Sequence, residues 1–330
     1  MQPLQFRPIL KRMRWGGRRL GTLLGKPLGD GSDYAESWEI ADCDSDQTTV
    51  AQGPYKGWSL RRLVETHGTA LLGLQAAADH FPLLVKFLDA HDRLSVQVHP
   101  NDEQAQRLGR GQRGKTEAWL VLFAEPHARL YTGLKAGVDR DAFVQSLNAG
   151  RIADCLHSYQ AHPGDCVLVP AGTVHTIGEG VVLAEIQQTS DVTFRIDDWG
   201  RLDANGEPRT LHREEALQCI DFERGPVDPI VPKVQLDGEQ KVEDLVSCPF
   251  FEMRRRTISS EWRLPEDERF RILMPLGGRV EVQSNDWRHA VGLGDTLLIP
   301  ACLEGVSVRP VASHGSAAAD SGTVLEVFVR

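Results

Sequence analysis

Between Leu83 and Phe123 the chain alternates short apolar runs with polar breaks, at lengths that suit strands. Leu83 to Leu88 reads as the first of these strands. In Leu94 to His99 the alternation is complete: Leu94, Val96 and Val98 point one way, and Ser95, Gln97 and His99 the other. Ala118 to Phe123 reads as a third strand, after a polar loop from Asn101 to Gly114. Asp139 to Tyr159 carries apolar residues at helical spacing interrupted at Gly150, which predicts two short helices inserted between strands. Strand patterns return at Asp165–Val169, Val181–Gln187 and Val192–Ile196, and Leu211–Ile220 is again helix-like.

The stretch from Arg224 to Pro232 holds Pro226, Pro229 and Pro232, which are excluded from central strands and helix interiors and mark a linker. Residues 1–225 are therefore expected to form one domain and residues 226–330 a second, a division that 330 residues can support with two separate cores. Beyond the linker come short strands at Phe250–Ile258, Phe270–Leu276, Arg279–Val282, Thr296–Ile299, Val306–Val308 and Thr323–Val329, the signature of a small sandwich or barrel. Ala312–Gly322 is expected to be a loop.

Charge narrows the partners. With 37 basic and 46 acidic side chains the net charge is −9, so the chain as a whole repels nucleic acid and anionic lipid, and an anionic substrate needs a local basic pocket. No window reaches the roughly 18 apolar residues of a membrane span. The basic stretch Lys11 to Arg19 is broken by Trp15-Gly16-Gly17 and leads into no apolar segment of the signal-peptide kind. Six cysteines without a C-x-x-C pair fit reduced thiols, and the expected location is the cytoplasm.

The polar strand faces carry the candidate chemistry. Lys115 and Glu117 share a face by the period of two, as Gln97 and His99 do. In Gly164-Asp165-Cys166-Val167-Leu168-Val169-Pro170-Ala171-Gly172-Thr173-Val174-His175, a strand, a tight turn and a return deliver His175 inward. Taken singly, each histidine reads equally well as a hydrogen-bonded core residue and Glu117 as a buried ion-pair partner; together at this spacing they point to a metal. Two imidazoles, a carboxylate and the Gln97 amide oxygen suit Zn²⁺ and are compatible with Fe²⁺, Mn²⁺, Co²⁺ or Ni²⁺.

The G-x5-P-x-G-x2-H arrangement resembles the second motif of the cupin superfamily. Trp15-Gly16-Gly17, Glu36-Ser37-Trp38-Glu39-Ile40, Leu94 to Asp102 (L-S-V-Q-V-H-P-N-D), Gly114-Lys115-Thr116-Glu117, Pro170 to His175 (P-A-G-T-V-H) and Glu185 to Arg195 (E-I-Q-Q-T-S-D-V-T-F-R) run in the order found in type I phosphomannose isomerase, which the chain resembles in its short bacterial form. That resemblance implies a mainly β fold of two cupin-type (jelly-roll) barrels with a short helical insert in the first. It also implies interconversion of mannose 6-phosphate and fructose 6-phosphate at one zinc ion held by Gln97, His99, Glu117 and His175. It places Arg195, Lys115, Glu185 and Asp191 in the active site, with Trp15 and Ser95 lining the same pocket. Leu303 to Val306 offers no histidine at the corresponding place, so the second barrel is expected to be metal-free.

Aldose–ketose isomerisation moves a proton between C1 and C2 through an enediol, and a metal beside a carboxylate can serve it. The base is left open among Glu185, Asp191, Lys115 and a metal-bound hydroxide. Arg195, on one strand face with Thr193 and Asp197, is either held by Asp191 or Asp197 or aimed at substrate; Arg195, Lys115 and Arg201 are the candidate phosphate cations. Two other functions share the metal motif, a non-haem iron cupin dioxygenase and a non-catalytic sugar-phosphate-binding cupin. The polar array argues against the first and the full ligand set against the second. The partner expected is a sugar phosphate, and the chain is expected to be a monomer or a homodimer.

Overall fold

The structure, a computed structural model, describes residues 1–109, 113–202, 206–285, 287–311 and 321–330. Most of the expected loop Ala312–Gly322 lies outside the described residues. The protein is mainly β, built from two sandwiches of antiparallel sheets.

In the first sandwich a five-stranded sheet (Leu156–Gln160, Arg129–Leu134, His175–Ile177, Val96–Val98, Phe194–Asp197, in spatial order) faces a six-stranded one (Cys166–Val169, Glu117–Ala124, Val181–Gln188, Leu83–Ala90, Tyr34–Ile40, Ile9–Gly17). The second pairs a six-stranded sheet (Lys233–Asp237, Gln240–Ser247, Glu252–Ile258, Gly322–Phe328, Arg271–Gly277, Leu297–Ile299) with a four-stranded one (Trp262–Arg263, Ser307–Pro310, Val280–Ser284, Trp287–Val291). Each pair is jelly-roll-like, with no hydrogen-bonded ladder closing it into a cylinder among the described residues.

Three apolar layers bound the first sandwich, and Leu273, Val282, Val291, Val308 and Val324 fill the second. Leu88, Trp119, Val121, Leu130, Val167, Ile177 and Leu183 fill the first sandwich. Val96, Val98, Phe194 and Ile196 face outward from the five-stranded sheet, under the helices Arg140–Asn148 and Arg213–Cys219, which contribute Phe143, Leu147, Ala216 and Cys219. The outer face of the six-stranded sheet, with Val85, Phe87, Leu120, Ala184 and Ile186, packs on Met253, Ile272, Met274, Leu325 and Val327 of the second sandwich. Leu83–Ala90 is thus buried on both sides, and Lys86 points inward with Leu88.

Further ties join the sandwiches. The carbonyls of Ala70 and Leu71, orphaned at the end of the helix Leu60–Leu72, accept from the N–H groups of Cys302 and Ala301 at 3.0 Å each. Gly73 follows with φ of +56°, and a Cβ there would lie 2.0 Å from the Glu268 carbonyl oxygen, so only glycine fits.

The helix Leu60–Leu72, N-capped by Ser59, was not expected from the sequence. Nor does Asp139 to Tyr159 form two α-helices. Arg140–Asn148 is followed by a 3₁₀ turn at Ile152–Cys155 and a strand at Leu156–Gln160. Gly150, at φ +67°, ends the helical run, and the segment beyond it pairs with Arg129–Leu134, a long-range contact that local spacing does not reveal. The proline-rich stretch has no regular structure but is stitched to the first sandwich by Val227 N–H to the Thr132 carbonyl at 3.1 Å and Ile230 N–H to the Cys166 carbonyl at 2.7 Å. All six cysteines are free, and no helix among the described residues is long and apolar enough to cross a membrane.

Candidate metal centre and substrate cleft

Thr132, His175, Gln97 and Arg195 stand opposite one another on neighbouring strands of the five-stranded sheet, a row facing the sandwich interior. His99 follows Gln97 on the same face, and Glu117 enters from the opposing sheet, between Val169 and Gln187. The turn before His175 depends on Gly172, whose φ is +85° and whose N–H donates to the His99 carbonyl at 2.8 Å. That bond ties the segment delivering one histidine to the other. Part of the stretch read from the sequence as a loop forms the helix Asp102–Arg107, capped by Asn101; Asp102 accepts from the Gly114 N–H at 2.8 Å, and the Pro100 carbonyl accepts from the Lys115 N–H at 2.9 Å. The P-N-D and G-K-T-E segments are therefore mates in space.

Both imidazoles are oriented through Nδ1–H, which donates to the Val192 carbonyl from His99 at 2.8 Å and to the Thr173 carbonyl from His175 at 2.9 Å. Each Nε2 lone pair is left facing Glu117: 3.5 Å separates His99 Nε2 from Oε2, and 3.3 Å separates His175 Nε2 from Oε1. Ligands about 2.1 Å from a tetrahedral centre lie roughly 3.4 Å apart, so this spacing suits one. The three side chains are fully buried, and His99 Nε2 and Glu117 Oε1 have no hydrogen-bond partner, which is costly unless a cation satisfies them. Fixed tautomers, converging lone pairs and unmet acceptors together fit a divalent metal. Gln97 adjoins the set with its amide Nε2 3.2 Å from His175 Nε2; a half-turn of the amide presents the oxygen instead.

Beside the triad a cleft of about 290 Å³ is lined by Trp15, Ser95, Gln97, Lys115, Glu185, Asp191 and Arg195. Glu36, Lys86, Thr193 and Arg209 line it as well, and none of these four was singled out from the sequence as a site residue. Lys86 Nζ lies 3.4 Å from Glu36 Oε2, 3.5 Å from Glu185 Oε1 and 3.8 Å from Asp191 Oδ1. Lys115 Nζ lies 3.8 Å from Glu185 Oε1 and 2.7 Å from Glu117 Oε2, the latter an ion pair without hydrogen-bond alignment. Indole N–H groups complete the ring, Trp38 donating to Glu36 at 2.6 Å and Trp119 to Glu185 at 3.1 Å. The signal for Lys86 was present: one cation in an otherwise apolar strand has to face a polar site.

Burial opposes the charge on both lysines, but surrounding carboxylates outweigh it and hold each ammonium protonated above the ordinary lysine range. Glu185 is pushed the other way. Its burial and the nearby Glu117 charge raise its carboxyl above the usual range, against the pull of Lys115 and Lys86.

Arg195 donates from Nη1 to the Thr210 carbonyl at 2.8 Å, while its buried Nε has no partner. No carboxylate among the described residues pairs with it, so neither Asp191 nor Asp197 holds it as one reading of the sequence had it. Burial, then the charge of Arg209, lowers its pKa, and an incoming anion would relieve both. The expected role of Arg201 is not met by its position. Its guanidinium is committed to Asp198 at 2.6 Å and Asp92 at 3.3 Å, away from the cleft; Arg209, which shares Asp198 at 3.4 Å, lines the cleft instead.

In metal-free protein burial keeps the histidines neutral: His99 is pushed down to about 3, and His175 also falls below the ordinary histidine value of 6.5. Below pH 6.5 the unfolded chain takes up protons that the folded chain refuses, so the stability present in full above that pH is lost as pH falls towards 3. Glu117, held well below its usual range by the Lys115 ammonium against its own burial, acts in the same direction at lower pH; Glu185 partly offsets it. Urea unfolding of metal-free protein is expected to show a loss on the order of a few kcal/mol between about pH 7 and about pH 4.5. A flat profile would mean that the pair is not held neutral.

Comparison with known proteins places this geometry. Residues 4–117 match the family model for the type I phosphomannose isomerase catalytic domain. The chain is 33% identical over 308 residues to the mannose-6-phosphate isomerase ManA of Bacillus subtilis (strain 168), covering 91% of this chain and 93% of the relative. The crystal structure of the mannose 6-phosphate isomerase from Bacillus subtilis superposes with a TM-score of 0.89 at 29% identity, over 100% of both chains. A mannose 6-phosphate isomerase bound with zinc and yttrium shares the fold at a TM-score of 0.77 and 16% identity, again over 100% of both chains. With the site motifs in family order and the similarity spanning nearly the whole chain, the protein belongs to the type I phosphomannose isomerase family.

Proposed function

We propose that the chain interconverts mannose 6-phosphate and fructose 6-phosphate in the cytoplasm, with one zinc ion held by His99, Glu117, His175 and the turned amide of Gln97. The observation that carries this reading is the ring of Glu36, Lys86, Lys115, Glu185 and Asp191, set against a metal-ready triad and open to a cleft. Bound there, the metal supplies Lewis-acid polarisation of the sugar oxygens. The rest is done by side chains. Glu185, buried at the cleft with its carboxyl raised above the usual range, carries the proton from C2 to C1. The ammonium groups of Lys86 and Lys115 face the charge that develops on O1 and O2. Trp15 and Ser95 line the wall on which the sugar rests.

Arg195 captures the phosphate, with Arg209 beside it as the second cation of the cleft. Arg195→Ala is expected to raise KM for mannose 6-phosphate roughly 10- to 100-fold with a smaller effect on kcat. A change in kcat alone would place Arg195 at the reacting carbons instead. Residues 1–225 carry the chemistry, and residues 226–330 cover the outer face of the catalytic sheet. An oxidation of an apolar substrate has no use for five charged groups at the metal, so the dioxygenase reading is not favoured.

The deciding experiment is a coupled assay of mannose 6-phosphate turnover on metal-replete and chelator-treated protein. Turnover lost on chelation and restored by zinc supports the reading. Substrate binding without turnover in metal-replete protein would leave a sugar-phosphate-binding protein.

A further inference from the structure

The two edges of the second sandwich's six-stranded sheet differ. Beside Leu297–Ile299, Leu4 of the N-terminal segment joins Leu298 through reciprocal backbone hydrogen bonds of 2.8 and 2.9 Å. At the opposite edge Lys233–Asp237 pairs only with Gln240–Ser247, and among the described residues no backbone covers its other side. Every residue of that strand is exposed, Val234 at 59% and Leu236 at 77%, and Val231 just before it is at 89%. Bare edges with apolar side chains invite pairing, and folded proteins ordinarily block them.

The hairpin geometry shows which groups are free. Gly238 and Glu239 form a two-residue turn, with Gly238 at φ +62°, between the paired residues Asp237 and Gln240. Such a turn is closed by a hydrogen-bonded pair, and bonding alternates along an antiparallel ladder. The backbone groups of Asp237, Gln235 and Lys233 therefore face the hairpin partner, and those of Val234 and Leu236 face solvent.

We propose that a second copy of this chain occupies this edge, with the two Lys233–Asp237 strands antiparallel about a two-fold axis at Gln235. In that register the free N–H and C=O groups of Val234 meet those of the partner's Leu236, twice over. Lys233 of each copy stands opposite Asp237 of the other, giving two opposite-charge pairs. The Lys233 side chain, exposed, makes no hydrogen bond or ion pair among the described residues. Asp237 is held in place by Arg256 Nη1 at 2.8 Å while its side chain stays 65% exposed. A slip of one residue would lose both charge pairs and turn Val234 and Leu236 against the wrong face, so the strand's own sequence selects one register. Five residues a side make a small interface, so the dimer is weak, with Kd on the order of 10–100 µM. The strand does not line the metal cleft.

Sedimentation velocity over a concentration series tests this on the full chain. Wild type is expected to dimerise. Lys233→Asp and Asp237→Lys, each of which sets like charges opposite each other at both ends, are expected to weaken self-association about tenfold each. Mixing the two variants should restore it, because the heterodimer regains opposite charges at both ends; loss of the Arg256 contact could not produce that rescue. Leu236→Pro removes one outward N–H, keeps the hairpin's own bonds and should leave a monomer of unchanged circular dichroism. A wild type that stays monomeric at about 1 mM overturns the proposal, as does a dimer indifferent to Leu236→Pro or single variants that fail to rescue each other.

Discussion

His175→Ala is expected to lower kcat/KM by about 10³-fold or more and to leave the purified protein with little metal, measured by coupled assay and by elemental mass spectrometry on the same sample. The substitution removes the Nε2 that lies 3.3 Å from Glu117 Oε1 and leaves a single imidazole to share the site with a carboxylate already paired to Lys115. Asking the fold to hold a divalent ion with His99 and Glu117 alone gives up one of three converging ligand atoms at a fully buried position, and a water in the vacated space is a weaker ligand than a fixed imidazole. Glu117 keeps the Lys115 ammonium 2.7 Å away, so its charge stays paired and the stability cost is that of the vacated space and the lost metal. A variant that retains full metal content and turnover would show that the triad is structural and that the metal, if any, binds elsewhere.

The second large effect concerns Lys86. Lys86→Met is expected to destabilise the protein by about 3–5 kcal/mol in urea unfolding, because the side chain that remains is apolar and the buried carboxylates of Glu36 and Glu185 lose their shared cation. Adding Glu185→Gln should recover part of that loss, since one uncompensated charge is removed, while turnover stays at least about 10³-fold below wild type because the proton carrier is gone. Glu185→Gln alone should give the same kinetic defect in a protein close to wild-type stability. If the double variant is no more stable than Lys86→Met, the 3.5 Å contact between Lys86 and Glu185 carries no coupling and the ring is held together through Glu36.

Much of the metal site was legible because it rests on short-range rules. The period of two placed Gln97 with His99 and Lys115 with Glu117, and the Gly172 turn required by its positive φ delivered His175. The family resemblance then assigned Glu185, Asp191 and Arg195, all of which line the cleft. Arg201 went wrong for an equally physical reason. Asp198 at 2.6 Å and Asp92 at 3.3 Å, one close by in the chain and one far off, hold Arg201 outside the cleft, whereas Arg209 shares Asp198 only at 3.4 Å and still lines it. Arg209, four residues past a segment outside the described residues, reaches the cleft without any periodic pattern to announce it.

Local pattern was therefore enough for the mainly β character, the apolar and polar faces of Val96–Val98, and the types of the metal-binding side chains, since each follows from alternation or from turn chemistry within a dozen residues. It was not enough for the helix Leu60–Leu72, whose terminal carbonyls are satisfied by Ala301 and Cys302 from the other sandwich, nor for the layer that joins Val85 and Phe87 to Met274 and Val327. Convergence was decided only by packing. His99 and His175 come from one sheet and Glu117 from the opposing one, and their lone pairs meet because the apolar layers fix the distance between sheets. The same is true of Lys86: its strand announced a buried cation, but its partners, Glu36 and Glu185, stand on the neighbouring strands to either side, and only the folded sheet names them.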